Sequence, residues 1–488
     1  MATDAPELLN EATWHGRAFS GGWTALGDAA DVVEPATGNV ISRIGMASPA
    51  EIAQGAARAR TAQPTWYATS FEERARVLRS AAQNAERHFD AIVGWIVRES
   101  GSIHPKAAFE LQISIKALYE ASAMPSQPQG VLLPGPSERL SVARRMPLGV
   151  VGIISPFNFP LYLATRALAP ALAVGNAVVL KPDPRTAISG GFILARLFEA
   201  AGLPRDVLHV LPGNGAAGAQ LCEDSNVAMI QFTGSTAAGR KVGELAGRHL
   251  KKVSLELGGK NALIVLDDAE LDLAVSNAAW SAYLHSGQIC MSAGKILVQR
   301  AIAAPFIARL AEKARMLPVG NPSTGQVALG PMINRSQLEH THGIVARSLA
   351  QGARLEAGGT YEGLYYQPTV LSGVVPGMAA YEEEIFGPVA PIIVFDHEDE
   401  AVRLANQTEY GLSAGVLGSM ERAMRVGGKL RTGLLHINDQ TVADEVVNPF
   451  GGVGASGNGT SIGGPANWEE FTQWQWVTVA GKAPAYPF

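Results

Sequence analysis

The sequence predicts an α/β fold built around a parallel sheet. Short apolar runs and helical stretches alternate regularly from residue 149 onward, and glycine-rich turns separate them. That alternation implies a parallel sheet with helices on both faces. The chain's 488 residues exceed the roughly 250 to 300 at which one core stops growing, so two or more domains are expected.

The elements follow in order. Residues 49–123 are rich in Ala, Arg, Glu and Leu and read as helical, with Ser70-Phe71-Glu72-Glu73 as a helix start. Residues 127–147 carry several prolines and then the alternating stretch 139–145, a strand or hairpin arm. Strands at 150–155, 177–181, 207–211 and 227–232 each precede a helix, at 161–174, 188–201, 216–221 and 240–249. A second round opens with an apolar strand at 261–266 and a helix at 271–284, and strands and helices continue to 433–438. Residues 449–464 are glycine-rich loop, and 473–479 alternate like an edge strand. Ligands of such sheets bind beyond the carboxyl ends of the strands.

Composition narrows the function. Hydrophobic content of 47% with 17% charged residues suits a globular enzyme, and 53 glycines imply many tight turns. A net charge of −5 without long like-charge runs points away from nucleic acid and from membrane surfaces. The start, Met1 to Glu7, lacks a secretion signal's basic and apolar regions, and no apolar run reaches the ~20 residues that cross a bilayer. Two cysteines make no disulfide framework, which fits a reducing cytoplasm. No metal site is expected.

Cys290 lies in Ser286-Gly287-Gln288-Ile289-Cys290-Met291-Ser292, among small and polar neighbours. A lone cysteine is often a small core hydrophobe, as Cys222 in its helical stretch is read to be. The Cys290 surroundings suit a nucleophile instead, with Glu256 in the glycine-rich Leu255-Glu256-Leu257-Gly258-Gly259-Lys260 as its base. Asn158, between two aromatics and two prolines, either satisfies its own turn or donates to a developing oxyanion. Residues 234–239 stand between strand and helix, where free N–H groups favour phosphate; the alternative is a glycine turn needed for packing. Lys181 places a cation at a strand's carboxyl end.

Seven segments carry a resemblance that spans nearly the whole chain: Glu34-Pro35-Ala36-Thr37-Gly38, Pro156-Phe157-Asn158-Phe159-Pro160, Phe232-Thr233-Gly234-Ser235-Thr236, Leu255 to Lys260, Gly287-Gln288-Ile289-Cys290, Glu383-Glu384-Ile385-Phe386-Gly387-Pro388 and Pro449-Phe450-Gly451-Gly452. In this order they resemble the aldehyde dehydrogenase superfamily. The resemblance implies Cys290 as nucleophile, Glu256 as general base, and Asn158 with the Cys290 N–H as oxyanion donors. It implies a nicotinamide cofactor, NAD with NADP possible, held by Ser155, Phe157, Lys181, Gly234, Ser235, Gly239, Leu257, Glu384 and Phe386. A thiohemiacetal and a thioester would lead to the carboxylic acid. Relatives that pass the acyl group to coenzyme A lack an acid at the Glu256 position, which favours hydrolysis. The thiol pKa is expected to be lowered by nearby donors and by the cationic nicotinamide ring.

The same resemblance implies a Rossmann-like cofactor domain (1–126 and 148–255), an α/β catalytic domain (256–472) and a small β oligomerisation arm (127–147 and 473–488). A homodimer or homotetramer is expected. NAD-selective relatives often carry a glutamate three residues past the lysine, where this chain has Pro184, so use of both cofactors is expected unless Asp183 turns to the ribose. Ser155 to Asn158, Lys181 to Thr186 and the glycine-rich tail resemble the branch acting on benzaldehyde, vanillin and salicylaldehyde. By matching positions, Leu163, Leu284, Ile289, Met291 and Val442 either line the ring slot, with Phe157 and Phe159 nearby, or are plain core packing, and Arg166 either meets a ring substituent or is paired structurally. The alternatives are an aliphatic or semialdehyde dehydrogenase of the same superfamily, a cysteine-dependent esterase, and a non-catalytic relative.

Overall fold

The computed structural model describes residues 8–136 and 138–488. Residues 1–7, read above for a secretion signal, and residue 137 of the arm lie outside the described residues.

Two seven-stranded sheets organise the chain. In the first, Lys252–Glu256, Met229–Thr233, Val150–Ile154, Ala177–Lys181 and Leu208–Val210 run side by side and parallel. Val150–Ile154 and Ala177–Lys181 are buried at every position, because helices cover both faces; hence their unbroken apolar runs. Two antiparallel strands, Arg17–Ser20 and Trp23–Ala25, extend the sheet beyond Leu208–Val210. The sequence reading had no strands there.

A larger difference concerns Glu256. The glycines that follow it suggest a loop, whereas Glu256 is the last residue of the edge strand Lys252–Glu256, paired with Thr233. The Gly234 N–H donates to its carbonyl at 3.0 Å, and the Leu257 N–H donates to Ser456 at 2.9 Å. The acid therefore stands on a strand end fixed from both sides.

The second sheet runs in the order Arg354–Ala357, Thr369–Ser372, Val389–Phe395, Ala293–Gln299, Asn261–Val265, Ser413–Leu417 and Leu434–Ile437, and only its first strand is antiparallel. Between its strands Asn261–Val265 and Ala293–Gln299 come the helix Leu271–Tyr283 and the Cys290 loop. The carboxyl-terminal strand Thr472–Ala480 pairs antiparallel with Arg139–Pro147, which also pairs with Gly130–Leu132. Four helices, Pro49–Ala68, Phe71–Arg87, Phe89–Ser100 and His104–Ala123, fill the predicted helical region. Ser70 caps the second by accepting from the Glu73 N–H at 3.3 Å. Among the described residues no helix is long and apolar enough to cross a membrane.

Candidate active site

The carboxyl ends of the first sheet's strands open onto a cavity of about 910 Å³. Cys290, Glu256 and Asn158 line it, as do Leu163 and every predicted cofactor residue except Gly239. Gly239 lies inside the helix Thr236–Arg248, where an added Cβ would sit 2.2 Å from a Leu257 methyl. Its smallness lets Leu257 pack against the helix, so it shapes the cavity wall without facing the cavity. Leu284, Ile289, Met291 and Val442 do not line the cavity either; they pack with Cys290 and Leu163 in one apolar cluster.

The Cys290 loop is held in an unusual backbone conformation. His285, Ser286 and Gly287 all have positive φ, at 51°, 54° and 68°. Non-glycine residues there carry a cost that the surroundings must offset. The Ser286 hydroxyl donates to the Gly330 carbonyl at 2.8 Å, and the Gln288 side chain accepts from the Ile333 N–H at 2.9 Å. Gly287 admits no side chain, since a Cβ would fall 2.1 Å from the Gly387 carbonyl oxygen. Beyond the turn, the Asn261 amide donates to the carbonyls of Cys290 and Ser292 at 2.7 and 2.9 Å. Cys290 as a residue is partly exposed, and Cys222 is fully buried as expected.

Asn158 meets this loop from the other side. Its Nδ2 donates to the Gln288 carbonyl at 2.9 Å, while its buried Oδ1 has no partner. An amide nitrogen has two hydrogens, so one stays available for a substrate oxygen. Lys106 and Glu110, which the sequence reading did not single out, hold the Asn158 turn from behind.

Both carboxylate oxygens of Glu256 are buried without a hydrogen-bond partner. Burial pushes its pKa well above the usual carboxylate range; the Arg166 charge opposes this, and Asp444 and Glu470 reinforce it. Arg166 is itself paired, donating to Asp444 Oδ2 at 3.0 Å and to the Ile462 carbonyl at 3.3 Å. The structural option for Arg166 is the one observed.

Of the two contributions expected to lower the thiol pKa, the protein's own groups do not supply theirs. Burial pushes the Cys290 pKa up to about 12, and the Glu384 and Glu256 carboxylates add to the rise that Arg166 opposes. The protein's own groups therefore keep the sulfur neutral. Alkylation of cofactor-free protein by iodoacetamide is expected to accelerate about tenfold per pH unit from pH 7 to 9, following the thiolate fraction. Trapping rates across that range would check this, and a plateau near pH 7 would contradict it.

The remaining walls suit a dinucleotide. Ser235 caps the helix Thr236–Arg248, its Oγ accepting from the Ala238 N–H at 3.3 Å, and Ser235, Thr236 and Ala237 face the cavity. An anion is favoured at this end by the helix dipole and the free N–H groups. Lys181 ends its strand at the rim, and the buried Ser155 Oγ has no protein partner. Glu384 accepts from the Gly259 N–H at 3.1 Å, and burial raises its pKa to about 7. A Cβ on Gly258 would lie 2.3 Å from Glu384, so glycine is needed for that approach. Phe157 and Phe386 meet edge to face, 6.0 Å between centroids. Asp183, the possible ribose acceptor, is instead gripped by Arg185, whose Nε and Nη2 donate at 2.8 and 2.6 Å.

Comparisons with known proteins point to one family. A model of the aldehyde dehydrogenase family matches residues 23–477. A vanillin dehydrogenase of Amycolatopsis sp. is 55% identical over 485 residues, covering 99% of this chain and 100% of that protein. The NAD(+) benzaldehyde dehydrogenase of Pseudomonas putida is 46% identical over 485 residues, with the same coverage. Betaine aldehyde dehydrogenase from Staphylococcus aureus, solved in complex with NAD+, superposes with a TM-score of 0.95 at 27% identity, covering 99% of this chain and 98% of that one.

Proposed function

Because this chain belongs to the aldehyde dehydrogenase family of NAD(P)-dependent oxidoreductases, we propose that it oxidises aromatic aldehydes of the benzaldehyde type to carboxylic acids, with Cys290 as nucleophile. The observation that carries this reading is the convergence of Cys290, Glu256 and Asn158 on one cavity, with Cys290 packed against the apolar core.

The thiolate fraction of Cys290, formed by loss of the thiol proton to water, attacks the carbonyl carbon and forms a tetrahedral thiohemiacetal. Its oxyanion is met by the free N–H of the Asn158 amide and by the Cys290 N–H; such donors are worth about 3 kcal/mol each. The nicotinamide cofactor, when bound, supplies the two-electron acceptor that converts this adduct to a thioester. Lys181 and Glu384 would hold its riboses, Ser235 a phosphate, and Phe386 would pack by the nicotinamide. Glu256 then takes a proton from water, the resulting hydroxide adds to the thioester carbon, and collapse releases the acid and the thiol. A base whose pKa is raised by burial is suited to accept a proton near neutrality.

An aromatic ring needs an apolar slot beside the sulfur; Leu163 lines the cavity at that place, and Leu284, Ile289, Met291 and Val442, which belong to the core behind it, would back the slot rather than face it. Relatives named for vanillin and benzaldehyde support this choice. The test is kcat/KM for benzaldehyde, vanillin, salicylaldehyde and hexanal, each with NAD+ and with NADP+. The aromatic aldehydes are expected to lead, and a preference for hexanal overturns the assignment. With Asp183 gripped by Arg185 and Pro184 at the discriminating position, the two cofactors should differ by less than about a thousandfold, roughly 4 kcal/mol.

The assembly is a homodimer or homotetramer formed through the arm. Thr472–Ala480 is an edge strand that displays Trp476 at 71% exposure, an aggregation hazard in a lone chain. Sedimentation at micromolar concentration should show no species near 51.3 kDa, the mass of one chain; a monomer there removes the proposal. A cytoplasmic location accords with the two free cysteines.

A further inference from the structure

The helix Pro160–Ala173 follows directly on Asn158 and begins without a cap of its own: Phe159, at its N-cap, makes no side-chain bond. Its first N–H groups are satisfied from elsewhere. Glu110 Oε1, on the helix His104–Ala123, accepts from the N–H groups of Leu161 at 2.8 Å and Tyr162 at 3.3 Å. Glu110 Oε2 accepts from Lys106 Nζ at 2.6 Å, and both side chains are wholly buried.

Lys106 uses its ammonium in three directions. Besides Glu110, it donates to the main-chain carbonyl of Asn158 at 2.6 Å and lies 3.9 Å from the centre of the Phe159 ring. The pair thus grips the turn at both ends, the carbonyl before Phe159 and the N–H groups after Pro160. A buried ion pair often adds little stability over apolar residues of the same size, because desolvation offsets the attraction. What it does supply is direction. With its main chain tied to Lys106 and its amide tied to Gln288, Asn158 has little freedom left.

We propose that Lys106 and Glu110 are a positioning pair that sets the Asn158 amide for the oxyanion. This rests on the role of Asn158 given under the proposed function. The pair touches neither substrate nor cofactor, and its effect passes through Asn158. Misplacement of a reacting group by about 1 Å costs on the order of a hundredfold in rate, so partial release of the turn should be visible.

Two reactions of Cys290 separate positioning from general loosening. Acylation by p-nitrophenyl acetate passes through a tetrahedral oxyanion and needs no cofactor; alkylation by iodoacetamide displaces iodide at a saturated carbon and forms no oxyanion. Lys106→Met is expected to lower the acylation rate at least about tenfold with KM nearly unchanged, and to alter alkylation by less than about threefold. Lys106→Gln can still donate to the Asn158 carbonyl and should recover part of the loss. In an Asn158→Ala background, Lys106→Met should cost less than about twofold more.

Should Lys106→Met unfold, as a circular dichroism melt would show, Lys106→Gln and Glu110→Gln carry the same comparison. Parallel loss of both reactions, or losses at Lys106 and Asn158 that multiply, would overturn the proposal. A full Asn158→Ala effect with none at Lys106 overturns this inference alone. No effect of Asn158→Ala on acylation overturns the oxyanion role as well.

Discussion

Cys290→Ala is expected to lower kcat for aldehyde oxidation by about a thousandfold or more, with the fold intact. The side chain is small and half-buried, so its loss opens little space in the core. The chemistry has no substitute for it. Asn158 and Glu256 face the same cavity, but neither can hold an acyl group through the oxidation step in place of sulfur. Steady-state rates measured to that limit, with mass spectrometry of the Cys290 peptide after one turnover, would check the result. An alanine variant forming acid at near-native speed would end the thioester account. A serine variant should also be nearly inactive, because its hydroxyl ionises less readily than a thiol.

Glu256→Gln should separate the two halves of the cycle. Loss of a general base costs roughly 10² to 10⁴ in rate, and here the loss should fall on hydrolysis of the thioester. Acyl-enzyme should then accumulate, visible as an added acyl mass on intact protein within one turnover. If the variant neither accumulates acyl-enzyme nor slows, Glu256 is not the base. The sign of the pH effect follows from burial: the folded-state pKa is raised, so the basic form grows as pH rises and hydrolysis accelerates with it. Stability runs the other way. A carboxyl whose pKa is raised on folding costs nothing below its unfolded pKa and increasingly destabilises as pH climbs toward the folded value. Glutamine cannot ionise, so at neutral pH the variant should melt higher than the native protein, and the difference should shrink as pH falls.

Much of the fold was legible because the parallel strands are buried on both faces. Val150–Ile154 and Ala177–Lys181 present unbroken apolar runs, and their helices follow at once. The antiparallel pair Arg17–Ser20 and Trp23–Ala25 was not, since strands of four and three residues are too short to show a period. Lys252–Glu256 was hidden for a different reason: two lysines lead into it and two glycines follow closely, so its composition resembles a turn.

At the site, Cys290, Glu256 and Asn158 were marked by glycines, prolines and the family resemblance. The rise of the thiol pKa was not, because it sums burial and carboxylates brought together from distant segments. Lys106 and Glu110 stand four residues apart on a helix, a spacing that ordinarily reads as a solvated surface pair. Only the packing of the 158–162 turn onto that helix buries them. Gly239 shows the reverse case, a glycine in the right segment whose role is to admit Leu257.

Glu256 closes a strand of the first sheet, whereas Cys290 sits in the loop leading into Ala293–Gln299 of the second. Base and nucleophile therefore ride on separate slabs, and the gap between them is a property of the seam rather than of either slab. A change that altered how the two slabs meet would alter that gap without touching either group. The distance between the two groups is thus written into how two sheets are packed, and not into either residue's own loop or strand.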